Sequence, residues 1–189
     1  MFFDELDAFL DSVRTQKIAH SEEKRPEVDE DIIDELLDLY LLAFYEGSKD
    51  AAKELMIDIE PSVKDAQEVI NKPIDGKTYK DRVRDYVSGN MGGTTGSPAD
   101  AIARVAETDS VRIYNESKLL TAKKGGATTK TWWTMEDNRV RDTHYPLDGV
   151  SVPIDGLFYT YDGDKAPAPA QFEKASNNVN CRCWLTFSK

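Results

Sequence analysis

The apolar period of this chain changes at Gly125-Gly126, and that change restricts the fold more than any other feature. Upstream, apolar residues recur at the spacing of helical turns; downstream, they cluster with threonine and tryptophan, as residues of strands do. Lys123 and Lys124 precede the glycines, where cations suit the negative end of a helix and glycine suits its stop. A helical first part followed by a short strand-bearing part is therefore expected.

In the first part, Phe3, Leu6, Leu10 and Val13 lie at helical spacing within residues 3–14. They predict a short amphipathic helix with an acidic outer face, suited to docking on another subunit. Thr15 to Pro26 reads as a linker. Asp29 to Ile59 carries the longest helical pattern, with an apolar stripe of Ile33, Leu36, Leu37, Tyr40, Phe44 and Tyr45 widened by Ile32, Leu39 and Leu42. So broad a stripe implies burial on more than one side, in a bundle or at a subunit interface. Gly47 is the expected weak point or kink. Pro61 suits the first turn of a further helix, with Val63, Ala66, Val69 and Ile70 inward. Thr78 to Ser88 predicts another short helix, and Gly89 to Gly96 a loop without the ordered lysine and hydroxyl residue of a phosphate cradle. Ser97-Pro98 then opens a helix running to about Lys124, buried through Ile102, Val105, Val111, Ile113, Tyr114, Leu119 and Leu120. For Arg104, Glu107, Arg112 and Asn115 on that helix, a solvated or ion-paired face is the plainer expectation.

Past the glycines, three stretches predict strands: Thr128–Met135, Phe158–Tyr161 and Cys183–Phe187. Turns at Asp148-Gly149, Asp155-Gly156 and Asp162-Gly163, and a proline-alanine loop from Ala166 to Ala170, separate them. The expected fold class is α+β, a mainly helical N-terminal region followed by a small α+β domain with about three short antiparallel strands. Residues 1–26 form the helix and linker, 27–96 the helical docking region and 97–189 the C-terminal domain. So few strands need the preceding long helix to complete a core.

Charge is unevenly placed. Residues 1–70 hold 20 acids against 7 bases, and residues 71–189 hold 15 against 17. The acidic half should repel nucleic acid, whereas the mildly basic half leaves a local contact with DNA open. No apolar run approaches the ~20 residues of a membrane span, and the acidic start Met1-Phe2-Phe3-Asp4-Glu5 lacks a signal peptide's basic region. A cytoplasmic setting follows as the expectation. There, Cys181 and Cys183, too close in sequence for an unstrained disulfide, are expected as free thiols or metal ligands.

The residues with special chemistry gather between Trp132 and Cys183, and three readings compete for them. In the first, Cys181, Cys183 and His144 ligate a metal, with Asp142 or Asp137 as a fourth ligand; structural zinc is the ion such a set would take. In the second, Asp142 and His144 form the centre of a metal-dependent nuclease or other hydrolase. In the third, the residues hold the fold. Arg139 and Arg141 pin loops, Trp132 and Trp133 face opposite sides of a strand, and Asn180 bonds nearby backbone. The third explains the residue types with the fewest assumptions.

Taken together, Trp132-Trp133-Thr134, Asp137-x-Arg139-x-Arg141-Asp142-x-His144, Leu147-Asp148-Gly149 and Asn180-Cys181-Arg182-Cys183 resemble the C-terminal signature of phage minor head proteins related to the F protein of phage Mu. Arg104-x-x-Glu107, Arg112 and Asn115 are similar to that family's arginine-and-acid helix. The resemblance implies a non-enzymatic virion component, made in the host cytoplasm and located inside the head or at the portal vertex. Its implied partners are the portal protein, the major capsid or scaffold protein, and packaged DNA, with no membrane. It implies roles in head assembly, DNA packaging or ejection, and marks His144, Cys181 and Cys183 as the positions to examine for metal. Lys189 follows closely on Cys183, so no appended effector domain is expected.

Overall fold

A computed structural model describes residues 30–87 and 98–189. The helix expected over residues 3–14, the linker after it and the glycine-rich loop lie outside the described residues. Four helices come first: α1 (Glu30–Leu55), α2 (Val63–Ile70), α3 (Tyr79–Val87) and α4 (Pro98–Lys124). They are followed by β1 (Thr129–Trp133), a 3-10 turn at Tyr145–Leu147, β2 (Ser151–Pro153), β3 (Phe158–Tyr159), β4 (Lys165–Ala166), the short helix α5 (Ala175–Asn178) and β5 (Trp184–Ser188). The α+β class expected from the change of period is the class observed.

Helices α1 and α4 lie along each other, and the centre of the α1 stripe is buried inside the chain, while Tyr45 at its edge stays exposed. Ile33, Leu36, Tyr40 and Phe44 are buried with Val69 and Ile70 of α2, Tyr79 and Val83 of α3, and Ile102, Val105 and Ile113 of α4. Helix α1 runs through Gly47 without a break. Helix α4 approaches closely at Gly47, so that a Cβ there would come within 2.3 Å of the Tyr114 carbonyl oxygen. Hydroxyls stitch the same crossing: Ser117 Oγ donates to the Phe44 carbonyl at 2.5 Å, and Ser48 and Thr121 bond each other at 2.8 Å.

Two further expectations are corrected here. Val63 is 63% exposed rather than inward. The cap of α2 is Ser62, whose Oγ accepts the Asp65 N–H at 3.0 Å, so Pro61 precedes the helix and Val63 sits on its open first turn. The ion-paired half of the expectation for α4 holds at Arg112, which pairs with Glu116, but the face is more buried than expected, with Asp109, Arg112, Asn115, Ser117 and Lys118 all buried. Helices cover one side of α4 and the sheet covers the other, so many of its polar groups find partners within the protein, although Ser110 Oγ and two Arg112 nitrogens do not. Asp109 receives both terminal nitrogens of Arg82 and the Tyr40 hydroxyl; Arg112 reaches the Val69 carbonyl at 3.3 Å and Glu116 at 3.2 Å.

The main sheet is antiparallel in the order β2-β1-β5. Trp132 stands opposite Leu185, and Trp133 opposite Trp184. Two of its strands match expected stretches; the third does not. Phe158–Tyr159 pairs with Lys165–Ala166 in a separate two-stranded ladder, while Ser151–Pro153 joins β1 instead. Proline lacks a ladder donor and argues against a strand in sequence, but Pro153 ends an edge strand, where that loss is tolerated. The other edge, β5, is closed by helical side chains. Asn115 accepts the Leu185 N–H at 3.1 Å and donates to the Cys183 carbonyl at 3.0 Å, and Glu54 accepts the Phe187 N–H at 2.6 Å. The edge therefore offers little to a foreign strand. Beneath the sheet lies a second core of Trp132, Leu147, Phe158, Phe172 and Leu185, completed by Ala51 and Leu55 of α1 and Val111, Leu119 and Ala122 of α4.

Candidate functional site

Strand β1 sends Trp132 into the second core and leaves Trp133 half-buried, its indole N–H donating to Thr186 Oγ1 at 2.7 Å. The backbone after β1 must then turn back, and Asp148 and Gly149 shape that return. Asp148 Oδ1 accepts both the N–H and the hydroxyl of Thr134, at 2.7 and 2.8 Å. Gly149 has φ +71°, a region that disfavours side chains, and its N–H donates to the Trp132 carbonyl at 2.8 Å.

The charged run forms a belt around this return. Arg182 Nη2 lies 2.6 and 2.8 Å from the two carboxylate oxygens of Asp137. That contact holds the Asp137 carboxyl below its usual range; burial opposes it and the Arg139 N–H reinforces it. The guanidinium of Arg141 donates to the Val179 carbonyl, while the Arg141 carbonyl accepts the N–H groups of His144 and Tyr145. Asn180 adopts φ +57°, and its N–H reaches Thr108 Oγ1 on α4 at 3.3 Å. These contacts bring the turn carrying His144 against the chain entering β5.

The result is a buried trio. His144, Cys181 and Cys183 are each at most 4% exposed. His144 Nδ1 lies 3.8 Å from Cys181 Sγ and 3.6 Å from Cys183 Sγ. All three donor atoms lie within 4.8 Å of one another. Ring contacts hold the imidazole in place, with Trp132 edge-on at 5.5 Å between centroids and Phe172 at 5.3 Å. The neighbouring Cys183, with His144 beside it, draws the Cys181 thiol well below its ordinary range against the opposing effect of burial. Cys183 is pushed up by the neighbouring Cys181 and by burial. The Trp132 indole N–H makes no well-formed hydrogen bond, yet it is among the groups favouring charge on Cys183. Soft sulfur and imidazole nitrogen converging on one point are the donors of a thiophilic cation.

Other residues singled out in the sequence lie elsewhere. Asp142 and Arg139 are exposed, and neither Asp142 nor Asp137 belongs to the trio. Arg104 and Glu107 are half-buried on α4. A second organiser escaped the sequence reading. Buried Asp164 accepts the N–H groups of Lys165, Glu173 and Lys174 at 2.8, 3.1 and 3.0 Å, and the Asn177 amide at 2.9 Å. Asn177 in turn accepts the Thr143 hydroxyl at 2.9 Å, linking this loop to the turn of His144. Asn178 bonds both the N–H and the carbonyl of Phe172, which keeps that ring against His144. The available signal was the pair Asn177-Asn178, whose amides commonly satisfy irregular backbone.

A small cleft with room for about one water molecule opens beside the trio, lined by Met135, Arg139, Arg141, His144, Asn180 and Cys183. It is far too small for a small-molecule ligand, whose sites commonly span ~300–1,000 Å³.

Residues 64–186 match the family described as Phage Mu protein F like protein. Over 143 residues the chain is 28% identical to the NAD(+)--arginine ADP-ribosyltransferase EFV of Enterococcus faecalis, covering 61% of this chain and 29% of that protein. Over 85 residues it is 28% identical to Minor head protein GP7 of Bacillus phage SPP1, covering 43% of this chain and 28% of the other. The chain thus spans less than a third of either relative. No solved structure matches it. The family match covers well over half of the sequence and takes in the tryptophan strand, the charged belt and the Cys-x-Cys segment, and the chain belongs to the phage Mu F-like family of head morphogenesis proteins.

Proposed function

We propose that the chain acts in head assembly as a non-enzymatic minor head protein that docks on the portal, resides within the head and passes close to packaged DNA. The observation that carries this reading is the family match across the motif-bearing residues. The work those motifs do supports it: Asp137, Arg141, Asp148 and Arg182 direct their polar atoms at one another and at loop backbone. Such contacts hold a fold rather than process a substrate. The enterococcal relative's transferase activity is not carried over, because under a third of that protein is matched.

Most of the apolar stripe of α1 packs within the chain, which leaves less of it for docking. The amphipathic pattern of residues 3–14 is our candidate. Co-expression with the portal protein of the same phage should yield a complex that co-purifies, and Leu6→Asp with Leu10→Asp should weaken it. Failure of the wild-type chain to associate under assembly conditions would sink the docking role. The alternative, a metal-dependent nuclease centred on Asp142 and His144, is disfavoured by an exposed Asp142 and a His144 turned toward sulfur. Incubating plasmid DNA with the protein and magnesium, manganese or zinc should leave the DNA intact. Cleavage that His144→Ala abolishes would favour the nuclease.

A further inference from the structure

We propose that His144, Cys181 and Cys183 bind one zinc-like cation, with Nδ1 and two thiolates as protein ligands and water from the adjoining cleft in the fourth position. Zinc bonds of ~2.0–2.1 Å to nitrogen and ~2.3 Å to sulfur, set at tetrahedral angles, place a nitrogen and a sulfur about 3.6 Å apart. The observed separations are 3.6 and 3.8 Å, so one ion can occupy the centre with only slight movement of the side chains. The ligands are positioned by contacts of their own. Asn115 holds the Cys183 carbonyl, the Asn178 carbonyl accepts the Cys181 N–H at 3.0 Å, and Trp132 and Phe172 fix the imidazole. His144 and Cys183 both line the cleft, which gives water access to the ion.

The ion's place in the fold assigns it a role. His144 lies on the return between β1 and β2, and the cysteines lead into β5, so one ion joins the two connections that flank the sheet. The backbone of this region is largely irregular, and a metal link between distant segments stabilises such chain most where secondary structure is sparse. A hydrolytic role would require a free base beside the bound water. Asp137 is engaged by Arg182, and Asp142 lies outside the trio. The inference stands independently of portal docking.

Metal analysis and cobalt exchange on untagged, full-length protein test it. Protein purified without chelator should carry about one zinc per chain. Cobalt-exchanged protein should show the visible bands of a tetrahedral site and a near-ultraviolet thiolate-to-cobalt band. Chelator should lower the Tm, and added zinc should restore it. Cys181→Ser and Cys183→Ser should each diminish the thiolate band; if either fails to fold, the wild-type cobalt spectrum decides. A spectrum of hydrated octahedral cobalt with a Tm indifferent to chelator would overturn the proposal. Zinc retained in full by folded double-serine protein would do the same.

Discussion

At Gly47, two physical effects point in opposite directions. Helix propensity alone would make Gly47→Ala stabilising by about 1 kcal/mol, since glycine is the poorer helix former. The crossing reverses that sign, because the added carbon would meet the rigid Tyr114 carbonyl at 2.3 Å. Forcing α1 and α4 apart costs about 1–3 kcal/mol or more, so the variant should unfold at lower urea concentration than wild type. An alanine variant of raised stability would refute the close crossing. The sequence held only half of this information: it showed a glycine within a helix, but no local pattern names the helix that crosses it. The site residues were legible to a similar degree. His144, Cys181 and Cys183 were identifiable by their chemistry, and they converge. Asp142 was equally conspicuous in the sequence and points elsewhere, because alternating charges on a turn do not reveal which of them faces inward. Asp164 was invisible, since a buried aspartate that gathers backbone N–H groups has the same sequence appearance as one in an exposed Asp-Gly turn.

At the scale of elements, the loop from Thr160 to Asn178 is held by carboxylates more than by its two-residue ladder with β3, and this gives it an acid dependence. Burial raises the Asp164 pKa, but the Asn177 amide and the N–H groups of Lys174, Lys165 and Glu173 together bring it below the ordinary value. Asp162 is lowered to about 2 by the Thr160 hydroxyl and Lys174. Both groups ionise more readily folded than unfolded, where an aspartate titrates near ~3.9. Their contribution is therefore fully present above that value and is lost as pH falls through the folded ones. Asp164→Asn should lower stability at neutral pH, because an amide nitrogen would face backbone donors. It should also flatten the loss of stability between about pH 5 and pH 2. Urea midpoints measured across that range test this, and parallel curves for the variant and wild type would contradict it. Element types were mostly readable from period, whereas strand partners were not. Alternation marked Phe158–Tyr161 as extended without saying that it would pair locally with Lys165–Ala166. Pro153 concealed the strand that joins β1. Helical period gave α4 one buried stripe, and only the packing of helices on one side and sheet on the other buried its remaining face.

Across the whole molecule, α1 and α4 contribute side chains to both cores, the upper turns of α1 to the helical one and Ala51 and Leu55 to the one beneath the sheet. Neither core keeps its walls if the other opens, so the described residues should unfold as one unit. The change of period at Gly125-Gly126 predicted helical and strand-bearing parts correctly, but it could not show that the last helix of the first part is the floor of the second. The tryptophans offer a direct check, since all three lie on β1 and β5. Trp184 also packs against the helical core, so a Trp184→Phe background restricts fluorescence to the sheet. In that background Phe44→Ala, a cavity confined to the helical core, should cost about 3–5 kcal/mol. Tryptophan fluorescence and helical ellipticity should then shift to the same lower denaturant midpoint, as in a single cooperative transition. If ellipticity alone moved while fluorescence kept its original midpoint, the cores would be separable and α4 would not couple them. Coincident shifts would mean that an event on the helical half reaches the His144 site through the two shared helices.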